Sequence, residues 1–276
     1  MSGFSTLVAA VRLIHPAPAI AVIVLSAALG AILAAQAGLD PAGRLALTTL
    51  SVAGSQILTG ALNDWADRDR DRVAQPTKPI PSGAVTPGVA LAIAAGGALL
   101  QLVTSLPLGP VPLLLGSVAA LSAVAYNLWL SRTPLSVVPY LVSFGLLPLW
   151  VASGVGVELA RVAVAPLLVG PLAAAAHLAN TLRDFDGDAR LGSRNLAQVL
   201  GRDRAFLVAW ALAMGVGLGV GVAFVVAGGP IPPATAILGA IGLAAVAQGL
   251  AGPRRLWGGM LVAAVCWTGA WALATA

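Results

Sequence analysis

Apolar runs long enough to cross a membrane follow one another along almost the whole chain. A helix needs roughly 20 apolar residues to span the hydrocarbon core of a bilayer. Turn residues divide this sequence of 276 residues into nine such runs. With 9% charged residues and a mean hydropathy of +0.94, the composition excludes a soluble domain. We therefore predict an all-α integral membrane protein. The predicted spans are residues 17–36, 44–62, 86–105, 109–130, 135–154, 163–182, 206–226, 232–250 and 256–275.

Positive charge is distributed unevenly between the alternate loops of this arrangement. Of the 15 Lys and Arg residues, only Arg44 and Arg161 fall on one side, and all others fall on the opposite side. Cytoplasmic loops carry the excess of Lys and Arg, so the richer side is predicted to face the cytoplasm of a multi-pass cell-membrane protein. The basic balance is therefore a topology signal, and we expect no nucleic-acid partner.

Most of the few acidic residues are concentrated in two short stretches, ALNDWADRDRDR and HLANTLRDFDGDARLGSR. Both contain the spacing N-x-x-x-D-x-x-x-D and follow an apolar run on the predicted cytoplasmic side. Residues four apart share one face of a helix, so each triplet predicts a stripe of oxygen ligands. The first ladder is Asn63, Asp67 and Asp71, and the second ladder is Asn180, Asp184 and Asp188.

Carboxylates one helical turn apart repel each other unless a cation lies near them. Hard oxygen donors without His or Cys select Mg²⁺ over Zn²⁺, and Mg²⁺ sites usually complete their coordination with substrate phosphates. The pattern therefore predicts bound Mg²⁺ and a phosphorylated partner. For either stretch alone, a solvated loop of Asp–Arg pairs is the alternative.

The two stretches resemble the signatures of the UbiA superfamily of intramembrane prenyltransferases, which includes UbiA-type terpene synthases. Its first signature, NDxxDxxxD, is matched by residues 63–71, and its second, DxxxD, by residues 184–188. The segment KPIPSG, residues 78–83, is similar to the RPIPSG loop of the family, with lysine in place of arginine. The resemblance implies nine transmembrane helices around a central cavity, two Mg²⁺ ions and an isoprenyl diphosphate whose tail lies in a tunnel open to lipid. It also implies that the four ladder aspartates are catalytic residues, with Asn63, Asp67 and Asp71 as ligands of one ion and Asp184 and Asp188 as ligands of the other.

We predict one polytopic membrane domain over residues 1–276. The two signatures occupy equivalent places in a possible pseudo-repeat of residues 17–130 and 135–250, followed by the last helix at 256–275.

Several polar residues near the ladders are predicted to contact the substrate. Arg72, Lys78 and Arg183 are candidates for direct diphosphate contacts, because a diphosphate needs cationic partners beyond the metals. Tyr126 and Arg132 are the nearest counterparts of a tyrosine and a lysine that the family often carries after the fourth span. The full predicted set is Asn63, Asp64, Arg72, Lys78, Tyr126, Asn127, Arg132, Asn180 and Arg183.

The predicted reaction is ionisation of the isoprenyl diphosphate, in which Mg²⁺ and cationic side chains stabilise the leaving group. Transfer to a small-molecule acceptor, aromatic or a quinone precursor, makes the protein a prenyltransferase. Cyclisation with proton loss makes it a terpene synthase. The number of transferases in the superfamily favours transfer, but the early spans lack a cationic residue for a benzoate carboxylate, which keeps the cyclase alternative open. Two other functions use similar carboxylates but fit the sequence less well. A CDP-alcohol phosphotransferase needs a further downstream aspartate pair, which this sequence lacks. A Mg²⁺ transporter needs carboxylates near the bilayer midplane, whereas here they lie at one interface.

Overall fold

The computed structural model describes residues 3–228 and 231–274, apart from the side chains of residues 3–6 and 227. Within these ranges the chain is helical and contains no strand, as the sequence predicts. The end of the last predicted span, residue 275, lies outside the described residues. So do both ends of the predicted domain, residues 1–2 and 275–276. The helices are α1 Gly3–Arg12, α2 Pro16–Gln36, α3 Ala42–Ala74, α4 Pro87–Ser105, α5 Pro110–Leu128, α6 Val138–Val155, α7 Pro166–Thr181, α8 Phe185–Arg190, α9 Leu196–Leu200, α10 Arg202–Ala227, α11 Pro233–Ala247 and α12 Pro253–Ala274.

Each of the nine predicted spans coincides with one of the long helices. Eight helices in the described residues are long and apolar enough to cross a membrane, and the protein is accordingly a multi-pass membrane protein. The exception is α7, which has 16 residues. It begins at Pro166, and proline is favoured at the first position of a helix because its missing N–H group needs no partner there.

The chain divides into two compact units. The first unit comprises Met1–Ser131 and Leu146–Ala163. Its helices α3 and α4 approach closely at two glycines: a Cβ atom on Gly54 would lie 2.5 Å from the Gln101 backbone nitrogen, and one on Gly97 would lie 2.5 Å from that of Leu58. Small residues of this kind let helix backbones pack tightly in lipid.

The second unit comprises Arg132–Gly145 and Val164–Ala276. Its core is rich in alanine: Ala175 and Ala179 of α7 and Ala209 and Ala213 of α10 are fully buried in one cluster. The largest aromatic side chain of this cluster, Trp267, donates a hydrogen bond from Nε1 to the backbone oxygen of Gly239, 3.3 Å away. Alanine leaves the helices room to approach, and the Trp267 ring packs against Gly217 and Gly242, which have no side chain in its way.

Helix α3 continues well beyond its predicted end. The hydropathy boundary at residue 62 separates apolar from polar residues, but the helix ends only at Ala74. Residues 63–74 contain no Gly or Pro, so nothing in the backbone interrupts the helix where its side chains become polar. The first ladder consequently lies on the last three turns of a helix of 33 residues.

Candidate functional site

The first ladder forms a hydrogen-bonded polar face on α3. Asn63 donates from Nδ2 to Asp67 Oδ2 at 3.4 Å and to Asn127 Oδ1 on α5 at 3.3 Å. Asn127 is buried and donates in turn to the backbone oxygen of Thr59 at 2.8 Å. The structure therefore brings together three of the predicted site residues, Asn63, Asp67 and Asn127. Tyr126, also predicted, is half-buried on α5 immediately before Asn127.

Two carboxylates of the same stretch are buried around a lysine. Asp64 and Asp71 are 2% and 5% exposed and lie seven residues apart, two turns along one side of α3. Lys78 places its Nζ 3.0 Å from Asp64 Oδ1 and 2.8 Å from Asp71 Oδ2. We call Asp64, Asp71 and Lys78 the lysine clamp. Its ammonium group supplies the cation that two neighbouring buried carboxylates require.

The loop after α3 folds back so that Lys78 reaches the helix. Ile80 and Val85 are buried in one apolar cluster with Leu62, which anchors the loop against α3. Backbone hydrogen bonds close the loop, from Ser82 N to the Lys78 oxygen at 3.0 Å and from Val85 N to the Pro79 oxygen at 3.0 Å. The segment that matches the family loop is thus a compact turn that holds Lys78 in place.

The charge of Lys78 is maintained by its partners. Burial alone lowers the pKa of this ammonium group, but the hydrogen bond to Asp71 and the neighbouring Asp64 carboxylate raise the pKa above its ordinary value. Lys78 therefore remains a cation at neutral pH.

A histidine that the sequence analysis did not select also contacts the clamp. His15 Nε2 lies 3.1 Å from Asp64 Oδ1. His15 joins α1 to α2 and has a φ of 50°, in the left-handed region that residues other than glycine adopt rarely. Nothing in the sequence relates a histidine to an aspartate 49 residues away, so only the fold reveals this contact.

The second ladder is not a continuous helical stripe, and the prediction is wrong on this point. Helix α7 ends at Thr181 and α8 begins at Phe185, so Asp184 lies outside both. The turn is closed by bonds between residues three apart, from Arg183 N to the Asn180 oxygen at 3.0 Å and from Asp184 N to the Thr181 oxygen at 3.3 Å. These bonds tighten and end the α-helix. Asn180 and Asp184 are exposed.

Asp188 is the member of the second ladder with an identified side-chain support. Its Oδ2 accepts a hydrogen bond from Asn195 Nδ2 at 3.1 Å. Asn195 is buried, and its Oδ1 accepts from the backbone N–H of Gln198 at 3.0 Å, which caps α9. Asn195 was not predicted as a site residue, although an Asn before a short apolar run is a recognisable N-cap signal.

The predicted cationic residues differ in what they contact. Arg72 is largely exposed and pairs with Asp69 at 3.4 Å, away from the clamp. Arg183 donates from Nη1 to Asn180 Oδ1 at 3.3 Å, and its guanidinium lies 6.0 Å from the ring centre of Trp257. Arg132 is exposed, and its backbone oxygen accepts from Arg194 N at 3.1 Å. Lys78, in contrast, is held against the ladder carboxylate of Asp71 and against Asp64.

The donor atoms fit Mg²⁺ that is shared with a substrate. Carboxylate and amide oxygens are the ligands Mg²⁺ prefers, and Asn63 and Asp67 present both on one helix face. Within the described ranges, no group of three or more His, Cys, Asp or Glu side chains is placed to hold a metal ion.

Fold and site together define a multi-pass helical membrane protein with an acidic polar site at the end of a spanning helix. The family model for the UbiA prenyltransferase family matches residues 23–256, and the chain belongs to this family.

Two curated relatives and a solved structure illustrate the similarity. The chain is 32% identical over 165 residues to a digeranylgeranylglyceryl phosphate synthase of Natronomonas pharaonis, covering 58% of this chain and 59% of that protein. It is 30% identical over 219 residues to a 4-hydroxybenzoate octaprenyltransferase of Burkholderia mallei, covering 73% and 64%. The aligned part thus spans less than two thirds of either relative. A UbiA homologue from Archaeoglobus fulgidus bound to GPP and Mg²⁺ has the same fold, with a TM-score of 0.74 at 17% identity over 97% of this chain and 99% of that chain.

Proposed function

We propose that this protein is a Mg²⁺-dependent intramembrane prenyltransferase that ionises an isoprenyl diphosphate and transfers the prenyl group to a small-molecule acceptor. The observation that carries the proposal is the first ladder with its lysine clamp. Asn63 and Asp67 offer oxygen ligands on one face of α3, and Asp64 and Asp71 lie buried beside them with Lys78. Carboxylates concentrated at one end of an otherwise apolar helix serve cation binding better than packing.

In this proposal each ladder holds one Mg²⁺ ion. Asn63, Asp67 and Asp71 are ligands of the first ion, and Asp184 and Asp188 are ligands of the second. The metals neutralise the charge that develops on the leaving diphosphate. Asp64 orients Lys78, whose ammonium group is available to a diphosphate oxygen once a metal compensates Asp71.

Three further cations and three polar residues complete the proposed substrate contacts. Arg72 and Arg183 follow and precede ladder aspartates directly in sequence, and a planar guanidinium binds phosphate oxygens through two parallel hydrogen bonds. Asn127 fixes Asn63 through their 3.3 Å contact and so orients a metal ligand. Tyr126, Arg132 and Asn180 are proposed to line the substrate side.

The names of the relatives support two classes of acceptor. One class is an aromatic acid, as in 4-hydroxybenzoate octaprenyltransferase, and the other is a glycerol phosphate lipid, as in digeranylgeranylglyceryl phosphate synthase. The aromatic or quinone-precursor class is our proposal for this chain. Cyclisation without an acceptor is the alternative outcome of the same ionisation.

The location of the site follows from the charge asymmetry of the loops. Both ladders lie on the side that carries most of the Lys and Arg residues, and we assign this side to the cytoplasm of the cell membrane. Single cysteines placed at Thr77 and at Gly43, in a background with Cys266 replaced by serine, test this assignment. An impermeant thiol reagent added to intact cells should label position 43 and not position 77.

Product analysis by mass spectrometry tests the reaction. The purified protein in nanodiscs is incubated with Mg²⁺ and C10 to C20 isoprenyl diphosphates, with and without 4-hydroxybenzoate or a glycerol phosphate lipid. We expect a prenylated acceptor that requires both Mg²⁺ and the acceptor. Hydrocarbon or terpene alcohol formed without acceptor identifies a cyclase, and absence of diphosphate release under every condition contradicts the proposal. Asp203→Ala, which removes an exposed aspartate outside both ladders, is the matched control for Asp67→Ala.

A further inference from the structure

The second unit contains an open pocket of about 410 Å³ that is lined by arginines. Half of its eight lining residues are Arg, and none is acidic. These arginines are Arg183, Arg202, Arg254 and Arg255. Cytoplasmic loops of membrane proteins are generally rich in Lys and Arg, which explains why arginines occur on this side. It does not explain why four arginines surround one cavity.

Three helix ends bring the arginines together. Arg183 follows the end of α7, Arg202 begins α10, and Arg254 and Arg255 lie in the first turn of α12. The backbone N–H groups in the first turn of α12 have no intrahelical acceptor, so they add partial positive charge to the pocket wall. The chain enters α12 through Gly252, whose φ of 138° suits glycine alone.

The positive charge of the pocket is only partly compensated. Arg202 pairs with Asp186 at 2.8 Å, and both side chains are about half exposed or more. Arg183 contacts the neutral amide of Asn180 and the ring of Trp257. Neither Arg254 nor Arg255 has a side-chain hydrogen bond or ion pair to any other described residue. Three of the four guanidinium groups therefore lack an anionic partner in this part of the chain.

A phosphate monoester matches this surplus. It carries about −1.5 to −2 charges at pH 7, and its three oxygens accept the parallel hydrogen bonds that guanidinium groups donate. The pocket lies where two spanning helices, Arg202–Val226 and Pro253–Ala274, begin, which is the depth of lipid headgroups. Leu182, Ala251 and Pro253 add apolar contact beside the arginines.

We propose that this arginine pocket binds the phosphate monoester headgroup of a membrane lipid. The binding does not depend on prenyl transfer. The site shares Arg183 with the proposed diphosphate contacts. It is distinct from them in Arg254 and Arg255, which present the most available charge and belong to neither ladder.

Lipid retention measured by native mass spectrometry tests the proposal on the full chain. The protein in phosphatidylcholine nanodiscs is titrated with 1-oleoyl-glycerol 3-phosphate, a phosphate monoester lipid, or with phosphatidylglycerol, a phosphodiester of lower charge. Arg254→Gln together with Arg255→Gln should weaken retention of the monoester lipid about 10-fold. Arg190→Gln together with Arg204→Gln removes equal charge from exposed arginines outside the pocket and should change retention less than about twofold.

The remaining arms identify the source of the phosphate. Glycerol 3-phosphate without an acyl chain should compete only at much higher concentration than the lipid; equal competition would contradict a lipid site. Equal retention of phosphatidylglycerol, or equal losses in the two double variants, would show general attraction to a basic surface and overturn the proposal. Displacement of the lipid by geranyl diphosphate with Mg²⁺ would assign the pocket to the diphosphate site and also overturn it. Both double variants should unfold at the native temperature, because the replaced side chains are exposed.

Discussion

The two ladders share one sequence spacing but have different structures. The first lies on a single continuous helix, and two carboxylates of its stretch are buried and compensated by Lys78. The second is interrupted between α7 and α8, its Asp184 is exposed, and Asn195 supports Asp188 at its end. Equal spacing therefore does not imply equal preorganisation.

This difference leads us to expect that the two ladders bind a metal ion in different ways. In the first ladder, a cation is already present as an ammonium group, so a metal ion bound as we propose would compete with Lys78 for Asp71. In the second, Asp184 is exposed and has no burial cost to offset, so a metal ion bound there as we propose would displace no buried cation. We expect the first ladder to keep its geometry when substrate binds, and the second ladder to change its geometry.

The largest effect is expected from removing one metal ligand of either ladder. Asp67→Ala and Asp184→Ala should each lower Mg²⁺-dependent turnover at least about 100-fold, because the charge on the leaving diphosphate loses part of its stabilisation. Diphosphate release in nanodiscs measures the loss, with Asp203→Ala as the control that retains native turnover. Retention of a tenth or more of native activity in either ladder variant would contradict its assignment as a ligand.

The next effect concerns the stability that the lysine clamp gives to the first ladder. Lys78→Met leaves the Asp64 and Asp71 carboxylates buried without a cation, which should cost about 3 kcal/mol of unfolding free energy. Arg72→Met removes an equal charge from an exposed pair and should cost less than about 0.5 kcal/mol. Thermal unfolding in detergent compares the two variants. Similar unfolding temperatures for both would show that the clamp contributes no more than a surface pair.

A smaller effect is expected from the support of the second ladder. Asn195→Ser keeps a capping side chain for α9 but loses the amide that donates to Asp188, so Mg²⁺ affinity should fall about 10-fold with native stability. Asn195→Ala loses both functions and should also cost about 1 kcal/mol of stability. Calorimetric Mg²⁺ titration with a bound isoprenyl diphosphate measures the affinity. Native affinity in the serine variant would show that Asp188 needs no such support.

The smallest effect on turnover is expected at Asp186, an exposed aspartate of the second stretch that does not belong to the ladder. Asp186 pairs with Arg202 at 2.8 Å, and an exposed pair contributes less than about 1 kcal/mol. Asp186→Asn should keep turnover within about twofold of the native protein. A loss of turnover comparable to that of Asp184→Ala would place Asp186 among the metal ligands. It would contradict the prediction that residues four apart provide the ligands.

The sequence predicts the helices better than their ends. Apolar runs locate the spans because the bilayer sets their length, but hydropathy does not detect that α3 continues to Ala74 as a polar helix. The break at residues 182–184 is equally hidden, since a spacing of four is compatible with a helix and with a turn followed by a new helix. Local hydrogen bonds around Asn180 and Thr181 decide between them.

Site residues with a spacing signal were predictable, and those defined by the fold were not. The structure brings Asn63 into contact with Asp67 and Asn127, and the matched loop explains why Lys78 reaches α3. His15 contacts Asp64 only because α1, α2 and α3 pack together, a long-range fact that periodicity does not contain.

The central claim, that both ladders serve one diphosphate through Mg²⁺, is tested most directly by calorimetric titration of geranyl diphosphate with and without Mg²⁺. The native protein, Asp67→Asn, Asp184→Asn and the double variant form the cycle. We predict that each single variant loses the Mg²⁺-dependent part of the affinity and that the double variant loses little more, because the two changes act on one bound group. Native Mg²⁺ dependence in either single variant, or independent additive losses, would contradict the claim.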